Sequence, residues 1–484
     1  MKNEKLEMTK WLQVDELPEK AAVTKFESPF TFAVSRFTIH KMIMKKILYI
    51  LLLTVLCYAC KKDKAAFDKD VDDRINEQLG KYESIITGSA NGWTATLVTK
   101  LGNTYSFYFR FNENNRVFMF CDFDSTTAGV QKESSFRLKS LQQPCLLFDT
   151  YSYIHMLADP DASVNGGYYG GGLISDFEFS IDTCTADSIL LTGRFNGSKA
   201  VMRKASVQDR TAWENKQVRS SITGLQNLGR ILNYFKRLTY NGTEYEIQIN
   251  TIFKSAVITW KDASGTVHTV TTPYYFSPAG IQFSIPVVNG STTITGFAIT
   301  GFNTSTNTLQ VKVNNTDATI AGAIRPVSPD AQAGRRWWNW GAGAQAYWYS
   351  FDGFHVNGID DAFDVQSLRT DTSSYYYFTY WPGVQPSSGS SFDALVPYYY
   401  IPVINDIAFH YGTAGKPSFQ SDGRVVFSFL GDLTLGPYPT TGPAFKTKDL
   451  VFSTTNGWWF VQTSETSYDM VSAKDAKAWI SWRN

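Results

Sequence analysis

Tyr105-Ser106-Phe107-Tyr108-Phe109-Arg110-Phe111, flanked by Thr94-Ala95-Thr96-Leu97-Val98 and Arg116-Val117-Phe118-Met119-Phe120, decides the fold. Bulky residues return at every second position, the period of a β-strand whose side chains alternate between two faces. The turns Leu101-Gly102-Asn103 and Asn112-Glu113-Asn114-Asn115 separate the three runs at hairpin spacing. Further strands are expected at 135–141, 145–150, 174–181, 188–195 and 200–205, with Asn196-Gly197 read as a type I′ turn before the last. This run of short strands predicts an antiparallel barrel or sandwich over 89–206, with a lipocalin-like barrel as one form of it.

Working outward, 65–88 places Val71, Ile75, Leu79, Tyr82 and Ile86 at steps of three or four, an amphipathic helix expected to cap the first β unit. Residues 207–239 return to a helical period through Trp213, Val218, Ile222, Leu225, Leu228 and Phe235, and Gly224 and Gly229 divide this connector into two short helices. Strands resume over 240–325, a Pro/Ala/Gly linker follows, and 335–484 reads as an aromatic-rich β domain closing on a helix at 473–482. The fold class is therefore mostly β, built from antiparallel barrel or sandwich domains, with short helices at 65–88 and 207–238. Asn91-Gly92-Trp93 recurs as Asn456-Gly457-Trp458, which a shared turn and tryptophan plug explain without a repeat architecture.

Composition narrows the function classes. Of 484 residues, 34 are Phe, 26 Tyr and 13 Trp, whereas only 18% are charged and the net charge is +1. That excludes a disordered polyelectrolyte and argues against a nucleic-acid partner bound through phosphate neutralisation. Only one apolar run approaches spanning length, which excludes a polytopic helical membrane protein.

That run is informative. Met44-Lys45-Lys46, the apolar stretch 47–59 and then Cys60 follow the three-part order of a secretory signal over 44–59. Its 13 apolar-stretch residues rise about 20 Å, short of the roughly 30 Å hydrocarbon core. Ala59-Cys60 resembles the end of a bacterial lipobox, which makes Cys60 the expected lipid-attachment site, although Cys57 stands where that pattern prefers an aliphatic residue. Residues 1–43 precede a complete signal and are expected to be a mis-called start, with Met42 or Met44 the initiator. Residues 60–88 then form a tether and helix, and Lys61-Lys62-Asp63-Lys64 partly resembles a surface-export signal of Bacteroidota lipoproteins. Cys121, Cys145 and Cys184 sit among apolar neighbours and are expected to be buried and free.

Catalytic signatures are sparse. His155, His268, His355 and His410 are far apart in sequence, so no HExxH pair exists, and there is no GxSxG elbow or phosphate loop. Asp176 and Glu178 stand two apart on an expected strand, about 7 Å from each other at roughly 3.3–3.4 Å per residue. Glycosidase carboxyls lie roughly 5–9.5 Å apart, so an envelope hydrolase acting on glycan or peptide is one alternative. It requires Asp176, Glu178, His155 and Asp159 to converge, whereas the simpler reading leaves both acids in solvent with Phe177 and Phe179 in the core. A lipocalin-like carrier of an apolar ligand is another, and it requires Phe107, Phe109, Phe118, Phe148 and Phe177 to enclose a void. Asp352, Asn357, Asp360, Asp361 and Asp364 make an oxygen-rich loop of the kind Ca²⁺ prefers, without EF-hand spacing; no other cofactor is expected.

Gly92-Trp93-Thr94-Ala95, Leu147-Phe148-Asp149-Thr150-Tyr151 followed by His155 and Asp159-Pro160, Gly170-Gly171-Gly172-Leu173-Ile174-Ser175-Asp176-Phe177-Glu178-Phe179 and Leu191-Thr192-Gly193-Arg194 carry a resemblance. With Ala59-Cys60 they resemble a family of Bacteroidota lipoproteins classed as a domain of unknown function. The resemblance implies an outer-membrane lipoprotein, the cell surface favoured over the periplasmic face, acting beside a TonB-dependent transporter and a SusD-like lipoprotein of a nutrient-uptake locus. It carries over no catalytic residue.

The densest chemical signal is aromatic. Trp337-Trp338-Asn339-Trp340, Tyr347-Trp348-Tyr349, Tyr375-Tyr376-Tyr377-Phe378, Tyr380-Trp381 and Tyr398-Tyr399-Tyr400 crowd one region. On strands such runs expose rings unless both faces are covered, and exposed rings with polar tips stack on sugars or anchor partners. Trp337, Trp338, Trp340, Trp348, Tyr376 and Trp381 are the expected contacts for a glycan or peptide, and the overall expectation is a non-catalytic binding lipoprotein. Replacing Cys60 by Ala should move the protein from the membrane to the soluble fraction and abolish labelling by a fatty-acid precursor; retention at the membrane counts against the anchor.

Overall fold

The computed structural model describes residues 69–484 except 388, 434 and 435, together with Met44, Ile47, Leu48 and Ile50. The expected start region, most of the signal, and Cys60 lie outside the described residues. The chain divides into Met1–Asp70 and Val71–Asn484, and the second unit holds all the architecture below. No described helix is long and apolar enough to cross a membrane.

The alternation around 105–111 folds as read. Strands β1 (Trp93–Val98), β2 (Thr104–Phe111), β3 (Arg116–Cys121), β4 (Lys132–Leu141), β5 (Gln143–Phe148), β6 (Glu178–Cys184), β7 (Ser188–Gly193) and β8 (Lys199–Lys204) pair in sequence and close on β1. This is barrel 1. Tyr105, Phe107, Phe109 and Phe111 point inward, and rings meet at 5.2 Å for Phe107–Phe109 and 5.6 Å for Phe109–Phe148. A void of about 10 Å³ remains among Ala95, Phe107, Phe148 and Phe179, room for one water at most. Barrel 1 is filled, as small barrels commonly are. Phe118 is only half-buried and Phe177 is exposed, so neither joins the interior as expected. Helix α1 (Val71–Thr87) covers the barrel with Ile86, Ile85 and Tyr82, and its last turn is tied down where Trp93 Nε1 donates to Ile86 O. Cys121 and Cys145 are buried, Cys184 is half-buried, and all three are free thiols.

The connector forms two helices, α4 (Val207–Glu214) and α5 (Gln217–Gln226), after the single-turn α2 (Tyr153–Met156) and α3 (Ala162–Asn165) of barrel 1. The break falls at Lys216, whose φ is 62°, not at Gly224. Gly224 lies inside α5, where an added Cβ would stand 3.1 Å from Ile299, so its missing side chain lets the helix lie close to the next barrel. The helical period also runs on too far: Phe235 already begins a strand, because its ring enters a buried cluster with Trp459 and Val471.

Barrel 2 comprises β9 (Phe235–Tyr240), β10 (Thr243–Asn250), β11 (Ser255–Lys261), β12 (Val267–Ser277), β13 (Gly280–Asn289), β14 (Thr292–Asn303), β15 (Thr308–Val313) and β16 (Thr316–Ala323), closed through β9 and β16. Tyr108, Phe120 and Trp213, on the outside of barrel 1 and on α4, share one apolar cluster with its interior residues Tyr245, Trp260 and Tyr274. Within that contact lies an ion pair. Asp122, fully buried, accepts from Lys254 Nζ at 2.6 Å, from Ser106 N at 2.8 Å and from Phe276 N at 2.7 Å. Ser106 Oγ donates to Phe276 O, and Lys254 Nζ sits 4.4 Å over the Tyr105 ring.

The third element is a ten-stranded sheet from β17 (Trp348–Ser350), β18 (Phe354–Val356), β19 (Ser374–Val384), β20 (Phe392–Ile401), β21 (Asp406–Ala408), β22 (Thr413–Phe419), β23 (Val425–Asp432), β24 (Trp458–Ser464), β25 (Ser467–Ser472) and β26 (Ala478–Arg483). Its path curls round until Tyr349 of β17 pairs with Arg483 of β26. Two corrections fall here. The tryptophan run 337–340 lies on a helix, α6 (Ala333–Ala344), whose buried Ala333, Trp337 and Gly341 recur at the four-residue step of one helical face. Residues 478–483, expected as a helix, form β26 because Ala478, Ile480 and Trp482 are buried in strict alternation. A last helix, α7 (Gly442–Ser453), precedes Asn456-Gly457-Trp458, and Trp458 Nε1 donates to Val451 O, seven residues back, as Trp93 does to Ile86. The recurring tripeptide is thus one local device: a glycine at φ 73° or 77° turns the chain, and the indole satisfies a carbonyl near the end of the preceding helix.

Lys254→Ala should cost about 3–5 kcal/mol, because it strands a buried carboxylate. Burial already raises the Asp122 pKa against the opposing pull of Lys254, and losing the lysine raises it further. A raised acid contributes stability below its unfolded value and loses it as pH rises through the folded one. Urea unfolding should therefore show the smallest deficit at acid pH and a growing one toward neutrality; a pH-independent deficit contradicts this account.

Candidate functional site

Period-two geometry sorts the aromatic runs of the C-terminal sheet between two faces. On β17, Trp348 points in and Tyr349 out; on β19, Phe378 and Tyr380 point in and Trp381 out. The register between β19 and β20 slips between Tyr375 and Tyr377, and such a bulge re-aims side chains. Tyr376 and Tyr377 consequently lie against each other, centroids 4.7 Å apart. Nine rings form one connected outer surface: Tyr347, Tyr349, Phe351, Tyr376, Tyr377, Trp381, Tyr398, Tyr400 and Phe409. Tyr347 links Trp381 at 4.4 Å, Tyr377 at 5.9 Å and Tyr398 at 6.2 Å; Tyr349 meets Tyr377 at 5.5 Å; Tyr376 meets Tyr400 at 6.3 Å; Tyr398 meets Phe409 at 5.2 Å. Phe351, Tyr376 and Phe409 are 41%, 44% and 36% exposed, so the surface is open to a ligand. The Tyr347 and Tyr377 hydroxyls bond each other at 2.8 Å, and burial followed by that bond pushes the Tyr377 phenol pKa up, keeping it neutral.

Four of the six expected contacts, Trp337, Trp338, Trp340 and Trp348, lie off this surface. Trp337 and Trp348 are both 1% exposed and stack at 5.9 Å in the core; α6 fills the inside of the curled sheet, so neither reaches solvent. Trp338 is half-buried, and its Nε1 donates to Asp393 at 2.8 Å. Trp340 is 40% exposed and rests on Trp348. Tyr376 and Trp381 belong to the nine-ring surface. Taking alternate members of each run, Tyr347, Tyr349 and Phe351 or Tyr398 and Tyr400, would have found five of the others; Phe409 stands alone and gives no such signal.

His155, Asp159 and Asp176 lie on the long segment between β5 and β6 and Glu178 opens β6, and each is engaged in bonds of its own. His155 Nδ1 accepts from Ser152 N at 3.1 Å, Nε2 donates to Phe148 O at 3.1 Å, and burial lowers its pKa. Asp176 is 3% exposed, not solvated, and accepts from Phe195 N, Asn196 N, Ser198 N and Ser198 Oγ. It precedes β6 and holds the β7–β8 turn, where only Gly197 takes a positive φ and the type I′ form is not adopted. Phe177 is the outward residue instead, stacked on His155 at 4.6 Å. Glu178 pairs with Arg194 at 2.9 Å, and Asp159 accepts from Tyr151. This set pins a loop that includes Ile174 at φ 53°, a costly conformation for a β-branched residue.

The oxygen-rich loop is partly assembled. Asp352, Asp360 and Asp361 line a cavity of about 370 Å³ with His355 and Trp479, while Asp364 lies outside it. Asp360 bonds His355 Nδ1, and Asp361 accepts from Val365 N and Gln366 N. Among the described residues no three such side chains stand close enough to hold a metal ion.

Burial separates two classes of ring by experiment. Trp337→Ala should lower stability by about 3–5 kcal/mol, and Tyr376→Ala should stay within about 0.5 kcal/mol of the parent, measured by thermal or urea unfolding. Comparable losses in both would place Tyr376 in the core.

No curated protein matches the chain. Among solved structures, the H. pylori β clamp in complex with 5-chloroisatin aligns over 85% of this chain and 96% of its own at 8% identity, with a TM-score of 0.12 that carries no fold argument. Residues 63–301 match the family model of a domain of unknown function (DUF4302), a span that takes in α1, barrel 1, the connector and barrel 2 as far as β14.

Proposed function

We propose that the protein is a lipid-anchored component of the cell envelope that binds glycan on the nine-ring surface of its C-terminal sheet, as an accessory of a Bacteroidota outer-membrane uptake system. The observation that carries the reading is the surface itself: nine uncharged rings linked through pairwise contacts, three of them more than a third exposed and Tyr377 buried beneath its neighbours, on the outside of a sheet whose inside is filled. Aromatic faces attract apolar C–H surfaces while phenol hydroxyls exchange hydrogen bonds, which is the chemistry of a pyranose ring with its hydroxyl rim. Anchoring rests on the signal and Cys60, and the company of a TonB-dependent transporter and a SusD-like lipoprotein rests on the sequence resemblance.

The alternatives draw less support. An apolar carrier built on barrel 1 has an interior void of about 10 Å³ to work with. A hydrolase at His155, Asp159, Asp176 and Glu178 would have to break the hydrogen bonds that hold each group before any could move a proton.

Affinity electrophoresis against a panel of neutral and acidic polysaccharides tests the reading. The parent should be retarded by at least one of them, and Tyr376→Ala with Trp381→Ala should weaken binding at least tenfold, about 1.4 kcal/mol, at unchanged melting temperature. Absence of retardation by every glycan, with a transporter recovered on pull-down through the same rings, would replace the glycan by a protein partner.

A further inference from the structure

Between barrel 2 and the C-terminal sheet lies a second kind of site, a cavity of about 550 Å³ that uses none of the nine rings. Ligand pockets commonly measure roughly 300–1,000 Å³ and combine apolar walls with a few polar groups. Leu225 and Leu228 come from α5 and the turn after it, Ile249 from β10 and Trp479 from β26; Tyr234 and Lys236 bring the chain into β9.

The charge balance here is uneven. Two neighbouring cations sit on β9, and Arg237 takes the local carboxylates, Glu244 at 2.7 Å and Glu246 at 3.3 Å. Lys236 points to the opposite face, toward the cavity. Its Nζ donates once, to Asn233 O at 3.0 Å, and no described carboxylate lies within ion-pair distance. Asp469, which bonds Tyr234 of the cavity wall, is already occupied by the Tyr234 hydroxyl at 2.7 Å and Ser481 Oγ at 2.6 Å. Lys236 is half-buried, and that burial pushes its pKa below the ordinary lysine value, since partial desolvation disfavours an ammonium without a counter-charge. Among the described residues, two of its three N–H donors have no protein partner.

We propose that this cavity binds an amphipathic carboxylate, its charged end on Lys236 and its apolar body against Trp479 and the leucine wall. The ligand supplies the missing counter-charge, and the apolar walls select against small hydrophilic anions such as acetate. Gln226, Gln248 and Thr251 at the same cavity offer further hydrogen bonds to the charged end.

Calorimetric titration of the full chain with decanoate, and separately with 1-decanol, tests the proposal on the unaltered protein. Decanoate should bind saturably with one equivalent, and the alcohol, with the same body and no charge, at least tenfold more weakly. Lys236→Met should lose that tenfold preference and Lys236→Arg keep most of it, while Tyr376→Ala leaves decanoate binding unchanged. Equal affinity for acid and alcohol, no saturable binding, or a folded Lys236→Met protein that still prefers the acid would overturn it.

Discussion

The buried pair Asp122–Lys254 is the constraint on which the arrangement of the two barrels depends. Taking both charges out of water costs several kcal/mol per ion, and the structure recovers this by giving the carboxylate three donors drawn from β2, β12 and the β10–β11 turn. An apolar contact alone would tolerate sliding, since hydrophobic burial is non-directional. The carboxylate does not: moving barrel 2 by one residue along β2 would remove the Phe276 amide and the lysine together. We read the pair as fixing the register between barrels, with the surrounding Tyr108, Phe120 and Trp213 cluster supplying the adhesion.

A comparable division of labour runs through the tryptophans. Trp93 and Trp458 each fill a core and donate an indole N–H to a carbonyl of the preceding helix. Trp459 does the same between parts, donating to Ile324 O at the end of barrel 2. Tyr234 and Asn233 complete that seam through Asp469 and the backbone of Asp475. Large rings with one polar handle suit this use, since they bury much area and still specify a partner.

Local alternation made barrel 1 legible, because Phe107, Phe109 and Phe111 announce both a strand and its inward face within seven residues. Applied to 347–349 it would have picked Tyr347 and Tyr349 instead of the core residue Trp348, and applied to 398–400 it would have picked Tyr398 and Tyr400. It failed where the period itself was misread: Arg-Arg-Trp-Trp at 335–338 lacks the spaced apolar positions of a helix until Ala333 and Gly341 are counted as small buried residues. Asp176 was misplaced for another reason. A carboxylate beside Phe177 reads as an outward strand residue, and only the distant amides of 195–198 explain its burial. The Asp122–Lys254 pair spans 132 positions and leaves no periodic trace at all. Lys236 was invisible likewise, since its lack of a carboxylate partner among the described residues is a property of the assembled seam.

Where binding can occur follows from what is already full. Barrel 1 is packed with phenylalanines, the interior of barrel 2 holds Tyr245, Trp260 and Tyr274, and the curled sheet is plugged by Trp337 against Trp348, Tyr380, Phe460 and Trp482. Barrel 1 leaves a void of only about 10 Å³, far less than the space that barrel-type carriers use. The binding proposed above accordingly lies on an outer face and at a seam. Those are the places where the sequence spends a ring and a cation that packing does not require: the bulge that leaves Tyr376 exposed over the buried Tyr377, and the lysine on β9 that the neighbouring carboxylates pass over. A sheet needing only stability would gain nothing from a bulge that exposes a tyrosine, and a seam needing only adhesion would gain from a leucine at 236.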